Sequence, residues 1–200
     1  MQVLLVDGHP LFRVGLRVTL SQLLPKAAVI EAADGRSAMV LAGQHFDLIF
    51  LDLYLPDLHG LASLDAVHAC FPKSAIAVLA DDENPETIKA CIQHGAVGYI
   101  PKSAKPEITQ AALQIVASNG IYLPVQVLAC ALPSCSVSLS SRQMDVYRCL
   151  IRGMSNKLIA RELSISEGTV KSHLSATFQA LQVRNRTEAV LVSGKVGLRL

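Results

Sequence analysis

Short apolar runs recur at regular intervals through the first part of the chain. Each run is rich in Val, Ile and Leu, is apolar throughout instead of alternating, and is bounded by Asp, Gly, Pro or Lys. Uninterrupted apolar runs of this length are typical of strands that are buried on both faces of a sheet. The predicted strands are Val3–Val6, Ala28–Ile30, Leu48–Leu51, Ile76–Leu79 and Val97–Ile100.

Segments with helical periodicity lie between these runs. Strands that alternate with helices predict an α/β fold in which helices cover both faces of a parallel sheet. Ligands bind such sheets at the carboxyl ends of the strands, so residues there are candidates for chemistry. The predicted helices are 10–24, 34–44, 60–70, 84–94 and 104–118.

The pattern changes after residue 119. Residues 120–141 contain two prolines, five serines and no charged residue, which predicts a linker with a short helix near 125–131. Beyond it only helical patterns remain, and the first three of them are each opened by a serine in a capping position. Two short helices, a tight turn and a longer helix are typical of a helix-turn-helix. The predicted helices are 141–152, 155–163, 166–181 and 187–196.

Charge is divided unevenly between the two parts. Residues 1–120 hold twelve Asp and Glu against eight Lys and Arg, whereas residues 121–200 hold four against ten. A basic second part predicts contact with an anion such as nucleic acid, although uneven solvation charge would give the same asymmetry. No apolar run approaches the ~20 residues of a membrane span, and five scattered cysteines indicate reduced thiols and a cytoplasmic location.

Three charged residues follow strands one, three and five of the predicted sheet. Asp7, Asp52 and Lys102 should therefore meet at one edge, where two carboxylates and a lysine can bind a hard cation and a phosphoryl group. A phosphatase with an aspartyl nucleophile is the enzyme alternative. It would need a second acid near Asp52, and Leu53 and Tyr54 offer none.

Four motifs carry a family resemblance over nearly the whole chain: VLLVDGHPLFR, LDLYLPDLHG, GAVGYIPKS and LSISEGTVKSHLSATFQALQVRNRTEAV. The chain resembles the NarL/FixJ family of two-component transcription factors. The resemblance implies a flavodoxin-like (βα)5 doubly wound receiver domain at 1–119, a linker at 120–138, and an all-α four-helix LuxR-type helix-turn-helix domain at 139–200. It also implies a non-enzymatic regulator that binds double-stranded DNA as a homodimer and has a sensor histidine kinase as partner.

The same resemblance assigns roles at the strand ends. Asp52 is the implied phosphoacceptor, Lys102 the phosphate-contacting lysine and Tyr99 the aromatic switch residue. Asp7, Asp52 and the backbone of Tyr54 are the implied Mg²⁺ ligands. His9 and His59 lie near this pocket and are interpreted as serving loop structure, and Asp57 is interpreted as solvated.

Three positions depart from the family pattern. Gly8 stands where the family has a second acid that binds Mg²⁺ directly, Ala80 where it has a phosphate-sensing hydroxyl, and Asp81 where it has a small neutral residue. The sequence therefore predicts a receiver weakened as a phosphorylation switch. Partial replacement of the missing ligand by Asp81 or Asp82 is the less favoured interpretation. The alternative is a phosphorylation-independent transcription factor whose receiver serves dimerisation or ligand sensing.

The third helix of the second part separates into two faces. Val170, Leu174, Phe178 and Leu181 form a core stripe, and the opposite face carries polar residues near the helix start. The resemblance places Lys171, Ser172 and Ser175 at bases, and makes four further residues phosphate contacts: Asn156, Lys157, Thr169 and His173. The last helix has a surplus of apolar surface, which the family uses for dimerisation on DNA.

Overall fold

The N-terminal part is built on a five-stranded parallel sheet with strand order β2-β1-β3-β4-β5. The computed structural model describes residues 1–124 and 139–193. The strands match the apolar runs closely, because residues buried on both faces leave no alternation in the sequence. They are β1 (Gln2–Val6), β2 (Ala28–Ala32), β3 (Leu48–Asp52), β4 (Ala75–Ala80) and β5 (Gly98–Pro101).

Helices cover both faces of this sheet. The second, third and fourth helices pack over one face, around Leu64 and Ile88, and the first and fifth over the other, around Leu20 and Leu113. The predicted doubly wound (βα)5 architecture is confirmed. The helices are α1 (Pro10–Leu23), α2 (Gly35–Val40), α3 (Leu61–Cys70), α4 (Pro85–Gln93) and α5 (Pro106–Ala117).

Helix α2 is shorter than the predicted 34–44. It begins with a capping box in which the Asp34 side chain accepts from the Ser37 backbone and the Ser37 hydroxyl accepts from Asp34. It ends at Val40 because the chain then turns toward β3, with Gly43 at a φ of 96° that favours glycine.

The C-terminal part is all helical around one core. Ser140, Ser155 and Ser166 cap its first three helices, as predicted, by accepting from backbone N–H groups in the first turn. The last helix ends at Leu191, with Val192 as its C-cap, and the predicted end at residue 196 lies outside the described residues. The helices are α6 (Ser141–Ile151), α7 (Asn156–Glu162), α8 (Glu167–Leu181) and α9 (Arg186–Leu191).

The described start of the interdomain segment lies against the receiver sheet. Tyr122 forms an isolated parallel bridge with Gly98, and its carbonyl accepts from Tyr99 N at 3.0 Å. Pro124 is buried. The short helix predicted near 125–131 lies outside the described residues.

Helix α9 rests on α4 of the receiver. Asn185, the N-cap of α9, donates its side-chain amide to the Ile92 carbonyl at 2.8 Å, and Leu191 packs against the receiver core. Part of the apolar surplus predicted for the last helix is therefore covered by the receiver. Within residues 1–124 and 139–193, the helices are all too short or too polar to cross a membrane.

Candidate functional site: an acidic pocket and a helical DNA-facing surface

The pocket forms where β1, β3 and β5 end side by side. Val6 pairs with Leu51, so Asp7 directly after β1 lies beside Asp52 at the end of β3. Both carboxylates are buried, at 0% and 1% exposure. Lys102 follows β5, and its side chain contacts both carboxylates. The structure therefore brings together the three residues that the sequence predicted at the strand ends.

The Lys102 ammonium group sits between the two carboxylates. Its Nζ lies 2.7 Å from Asp52 Oδ2 and 2.9 Å from Asp7 Oδ2, and 4.9 Å from the centre of the Phe12 ring. Burial lowers the pKa of Lys102, but the contacts with Asp52 and Asp7 outweigh it and leave the pKa raised. Lys102 therefore stays charged here and neutralises part of the negative charge of Asp7 and Asp52.

Local turns fix the other oxygen of each carboxylate. Asp7 Oδ1 accepts from His9 N at 2.7 Å, and Asp52 Oδ1 accepts from Tyr54 N at 3.0 Å. Each carboxylate therefore points one oxygen at its own loop and the other at Lys102. Asp7 Oδ2 is buried and accepts no well-aligned hydrogen bond, which leaves it with only its ionic contact.

The His9 side chain lies on the solvent side of the pocket. Its Nδ1 lies 3.5 Å from Asp7 Oδ1, 3.6 Å from Asp52 Oδ2 and 3.4 Å from Lys102 Nζ. The sequence interpretation gave His9 only a loop role, and it does serve as the N-cap residue of α1. The position of His9 two residues after Asp7 was the signal that could have placed its ring in the pocket.

Gly8 leaves one side of the pocket without a carboxylate. A Cβ at this position would lie 3.0 Å from Pro56 Cδ and 3.7 Å from the Ala33 carbonyl, and the backbone there is not left-handed. The Pro56 ring therefore fills the space in which a side chain would start.

This donor set matches Mg²⁺ poorly. Mg²⁺ takes oxygen ligands in near-octahedral geometry. Here two carboxylates, both held by Lys102, are joined by an imidazole nitrogen. The coarse expectation of an acidic, cation-attracting cluster at Asp7 and Asp52 is confirmed.

The residues predicted as switch elements lie on β4, β5 and the loop after β4. Tyr99 is buried and donates its hydroxyl to the Asp82 carbonyl, and burial raises its pKa. Ala80 is fully buried, and its carbonyl accepts from Lys102 N at 2.9 Å. Asp81 is exposed.

Asp57 has a structural role that the sequence interpretation missed. Its two carboxylate oxygens accept from the backbone N–H groups of Gly35 and Arg36, both at 2.8 Å. It therefore stabilises the start of α2 across the pocket rim, and the interpretation of a merely solvated Asp57 is wrong.

Helix α8 presents the polar face that the sequence placed at DNA bases. Lys171, Ser172 and Ser175 are exposed, while Val170 and Leu174 on the other side are buried. Ser172 Oγ donates to the Gly168 carbonyl at 3.1 Å, so its hydroxyl is partly engaged with the helix. Lys171 has the longest side chain of these three residues.

The candidate phosphate contacts surround the start of α8. Thr169 is exposed and its hydroxyl pairs with Ser166 Oγ at 2.8 Å. Lys157 is exposed on α7, whereas Asn156 and His173 are half-buried.

One basic residue on this surface was missed. Arg161 lies one helical turn after Lys157 and borders the same shallow depression beside the start of α8. The i, i+4 spacing of the two cations on α7 was the available signal. Arg186 donates to the Leu150 and Met154 carbonyls, at 3.3 and 2.6 Å, and therefore ties α9 to α6 instead of facing DNA.

These features define a two-part regulatory protein, in which a buried aspartate–lysine pocket on a doubly wound sheet is joined to a helix-turn-helix. The receiver-domain profile of response regulators matches residues 3–114, and the profile of bacterial regulatory proteins of the luxR family matches residues 137–193. The chain belongs to the NarL/FixJ family of two-component response regulators. It is a DNA-binding transcriptional regulator, and its relatives are regulators, not enzymes.

Similar proteins match along nearly their whole length. The glycerol metabolism activator of Pseudomonas putida is 34% identical, covering 98% of this chain and 96% of that protein. The nitrate/nitrite response regulator NarP of Escherichia coli K12 is 34% identical, covering 96% and 93%. The RcsB response regulator of Salmonella typhimurium has the same fold, with a TM-score of 0.58 at 23% identity over 95% of this chain and 97% of that one.

Proposed function

We propose that this regulator has a receiver that accepts a phosphoryl group at Asp52 but responds weakly to it. The observation that carries this is the pocket's composition. Asp52 and Lys102 are in direct contact at 2.7 Å, yet position 8 supplies no carboxylate and position 80 no hydroxyl. The nucleophile and its neutralising lysine are present, while the groups that recruit Mg²⁺ and sense phosphate are missing.

Each part of the pocket has a separate task in this proposal. Asp52 supplies the attacking carboxylate oxygen, and Lys102 stabilises charge on the transferred phosphoryl oxygens. Mg²⁺ bound at Asp7, Asp52 and the Tyr54 carbonyl would neutralise developing charge, but with two carboxylates instead of three it binds weakly. Tyr99 moves only if the β4–α4 loop moves, and Ala80 gives the phosphoryl group no hydrogen bond with which to pull that loop. Asp81, which the sequence offered as a substitute ligand, adds negative charge to the same loop.

The output surface is the exposed face of α8 and its surroundings. We assign base contacts to Lys171, Ser172 and Ser175. Phosphate contacts are assigned to Asn156, Lys157, Thr169, His173 and additionally Arg161. The protein binds double-stranded DNA as a homodimer in this proposal, receives its phosphoryl group from a sensor histidine kinase and acts in the cytoplasm. The proposed boundaries are 1–119 for the receiver, 120–138 for the linker and 139–200 for the DNA-binding domain.

The α4–α9 contact gives the receiver a route to the output domain. With Asn185 bonded to Ile92 and Leu191 on the receiver core, α9 is engaged within one chain. Dimerisation through α9 would require this contact to open, which couples the receiver to DNA binding.

The test is intact mass spectrometry after incubation with Mg²⁺ and a small phosphodonor such as acetyl phosphate. Slow, partial addition of one phosphoryl group, absent in Asp52→Asn, is the expected result. Rapid and complete phosphorylation accompanied by dimerisation would refute a weakened switch. Complete absence of phosphorylation with intact DNA binding would favour the second candidate function, a phosphorylation-independent regulator, which the losses at Gly8 and Ala80 also favour.

A further inference from the structure

The three acceptor atoms of the pocket converge on one point. Lys102 Nζ lies within 3.4 Å of His9 Nδ1, 2.9 Å of Asp7 Oδ2 and 2.7 Å of Asp52 Oδ2. An ammonium group donates hydrogen bonds and accepts none, so Lys102 can donate to His9 Nδ1 only in the tautomer whose lone pair lies on that nitrogen. A metal ion needs the same lone pairs, which means that Lys102 occupies the position of a cation.

A second observation points to a ligand at this position. Asp7 is fully buried, and its Oδ2 is balanced by the Lys102 ammonium group at 2.9 Å, in a contact that lacks good hydrogen-bond geometry. A buried carboxylate oxygen needs a cation or a well-placed donor, and a bound metal ion could take the place of Lys102 there. The His9 side chain is 63% exposed, so an ion could reach it from solvent.

We propose that His9, Asp7 and Asp52 form a binding site for a borderline divalent transition-metal ion, with Zn²⁺ and Co²⁺ as representatives, in preference to Mg²⁺. One potential ligand atom from each residue lies within 4.8 Å of the others, close enough for small side-chain movements to bring them onto one ion. Imidazole suits Zn²⁺ and Co²⁺, whereas Mg²⁺ prefers oxygen ligands only. The missing carboxylate at position 8 thus weakens Mg²⁺ binding and also shifts the selectivity of the pocket from Mg²⁺ toward Zn²⁺ and Co²⁺.

Lys102 and the metal compete for the same oxygens. When an ion binds, the ammonium group has to leave Asp7 and Asp52, and the face of the Phe12 ring beside it offers an alternative contact. Metal binding would therefore release the lysine from the phosphoacceptor carboxylate. The proposal does not rest on phosphorylation, because metal binding is measured without any phosphodonor.

The experiment is calorimetric titration of the full chain with Zn²⁺, Co²⁺ and Mg²⁺. Zn²⁺ should bind at least about 100-fold more tightly than Mg²⁺, following the preference of imidazole-containing sites. His9→Gln should lower the affinity for Zn²⁺ about 10-fold or more and leave the affinity for Mg²⁺ unchanged, since it removes only the nitrogen ligand. Lys102→Met should raise the affinity for both ions, because it removes the ammonium group that competes with them.

The matched control is His45→Gln. His45 also lies beside a carboxylate, 3.3 Å from Asp47, but on the exposed surface. It should change neither affinity. Equal Zn²⁺ affinity in wild type and His9→Gln, or equal losses in the two histidine variants, would overturn the proposal.

Two measurements on the wild-type protein keep the test independent of variant folding. The absorption spectrum of the Co²⁺ complex should lack a thiolate charge-transfer band, because the site contains no cysteine. Paramagnetic Co²⁺ should shift the ring protons of one histidine strongly, and sequential NMR assignment of the wild-type protein should identify that residue as His9. A thiolate band, or a strong shift at any histidine other than His9, would count against the site.

Discussion

Replacing Gly8 by aspartate tests directly whether the missing carboxylate limits the receiver. The backbone at this position does not need the left-handed region, so an aspartate can adopt it. The obstacle is steric. A new Cβ would lie 3.0 Å from Pro56 Cδ, which is closer than an ordinary van der Waals contact. Because Pro56 is an exposed loop residue, we expect it to move by a few tenths of an ångström, at a cost of about 1 kcal/mol.

The gain in stability from the new carboxylate depends on Mg²⁺ binding. A third carboxylate should raise Mg²⁺ affinity at least about 10-fold, by analogy with the loss caused by removing groups that support a metal site. At saturating Mg²⁺ a 10-fold tighter site stabilises the folded state by a further ~1.4 kcal/mol. The variant should therefore be less stable than wild type in EDTA and at least as stable in saturating Mg²⁺.

Gly8→Ala is the matched control, because it places the same Cβ against Pro56 without a carboxylate. It should lose about 1 kcal/mol in both conditions. Chemical denaturation with and without Mg²⁺ measures these stabilities, and the initial rate of Asp52 phosphorylation should rise only in Gly8→Asp. The reasoning is refuted if Gly8→Asp and Gly8→Ala show the same stability in both conditions and the same phosphorylation rate.

Adding Ala80→Ser to Gly8→Asp should supply the missing phosphate hydrogen bond; serine is preferred to threonine because Ala80 is fully buried.

Three further predictions concern other parts of the molecule. Lys171→Ala should weaken operator binding by ~1–3 kcal/mol, whereas Lys157→Ala should weaken all duplexes alike and reduce the salt slope by about 1; fluorescence anisotropy at several salt concentrations distinguishes them, and unchanged binding in both would contradict the interface. Burial raises the pKa of Tyr99 and Tyr147 above the ordinary 10.0, so their neutral forms stabilise the fold below pH 10 and this contribution is lost as the pH rises through the raised values. Tyrosinate absorbance at pH 11 should therefore increase further on urea unfolding, and equal absorbance before and after would refute the burial argument. Asn185→Ala should loosen the α4–α9 contact and increase DNA affinity several-fold in the full chain but not in the 139–200 fragment, with equal effects in both arguing against a role of that contact.

The strand boundaries were predictable to within a residue or two, because a strand that is buried on both faces is an uninterrupted apolar run in the sequence. The end of α2 was not, because residues 41–44 retain helix-compatible composition and it is the turn at Gly43 that stops the helix. The helical prediction also extended to Val192, which is apolar but is the C-cap of α9.

The residues of the pocket were also predictable only in part. That Asp7, Asp52 and Lys102 meet follows from parallel strand ends, which any sheet of this order brings together. The capping contacts of Asp57 and the position of the His9 ring depend on loop geometry, and no periodicity in the sequence reports it. The same is true of the Pro56 ring beside Gly8, which is distant in sequence and close only in the fold.

The contact between α9 and α4 has a quantitative consequence for gene control. Among the described residues it includes one hydrogen bond, from Asn185 to Ile92, and the packing of Leu191 on the receiver. If DNA binding requires this contact to open, as proposed, a preference of about 2 kcal/mol for the closed arrangement would leave roughly 3% of molecules open and raise the apparent dissociation constant for DNA about 30-fold. The dynamic range of the regulator would then be bounded by the same factor: even complete opening could increase promoter occupancy at low protein concentration by no more than about 30-fold.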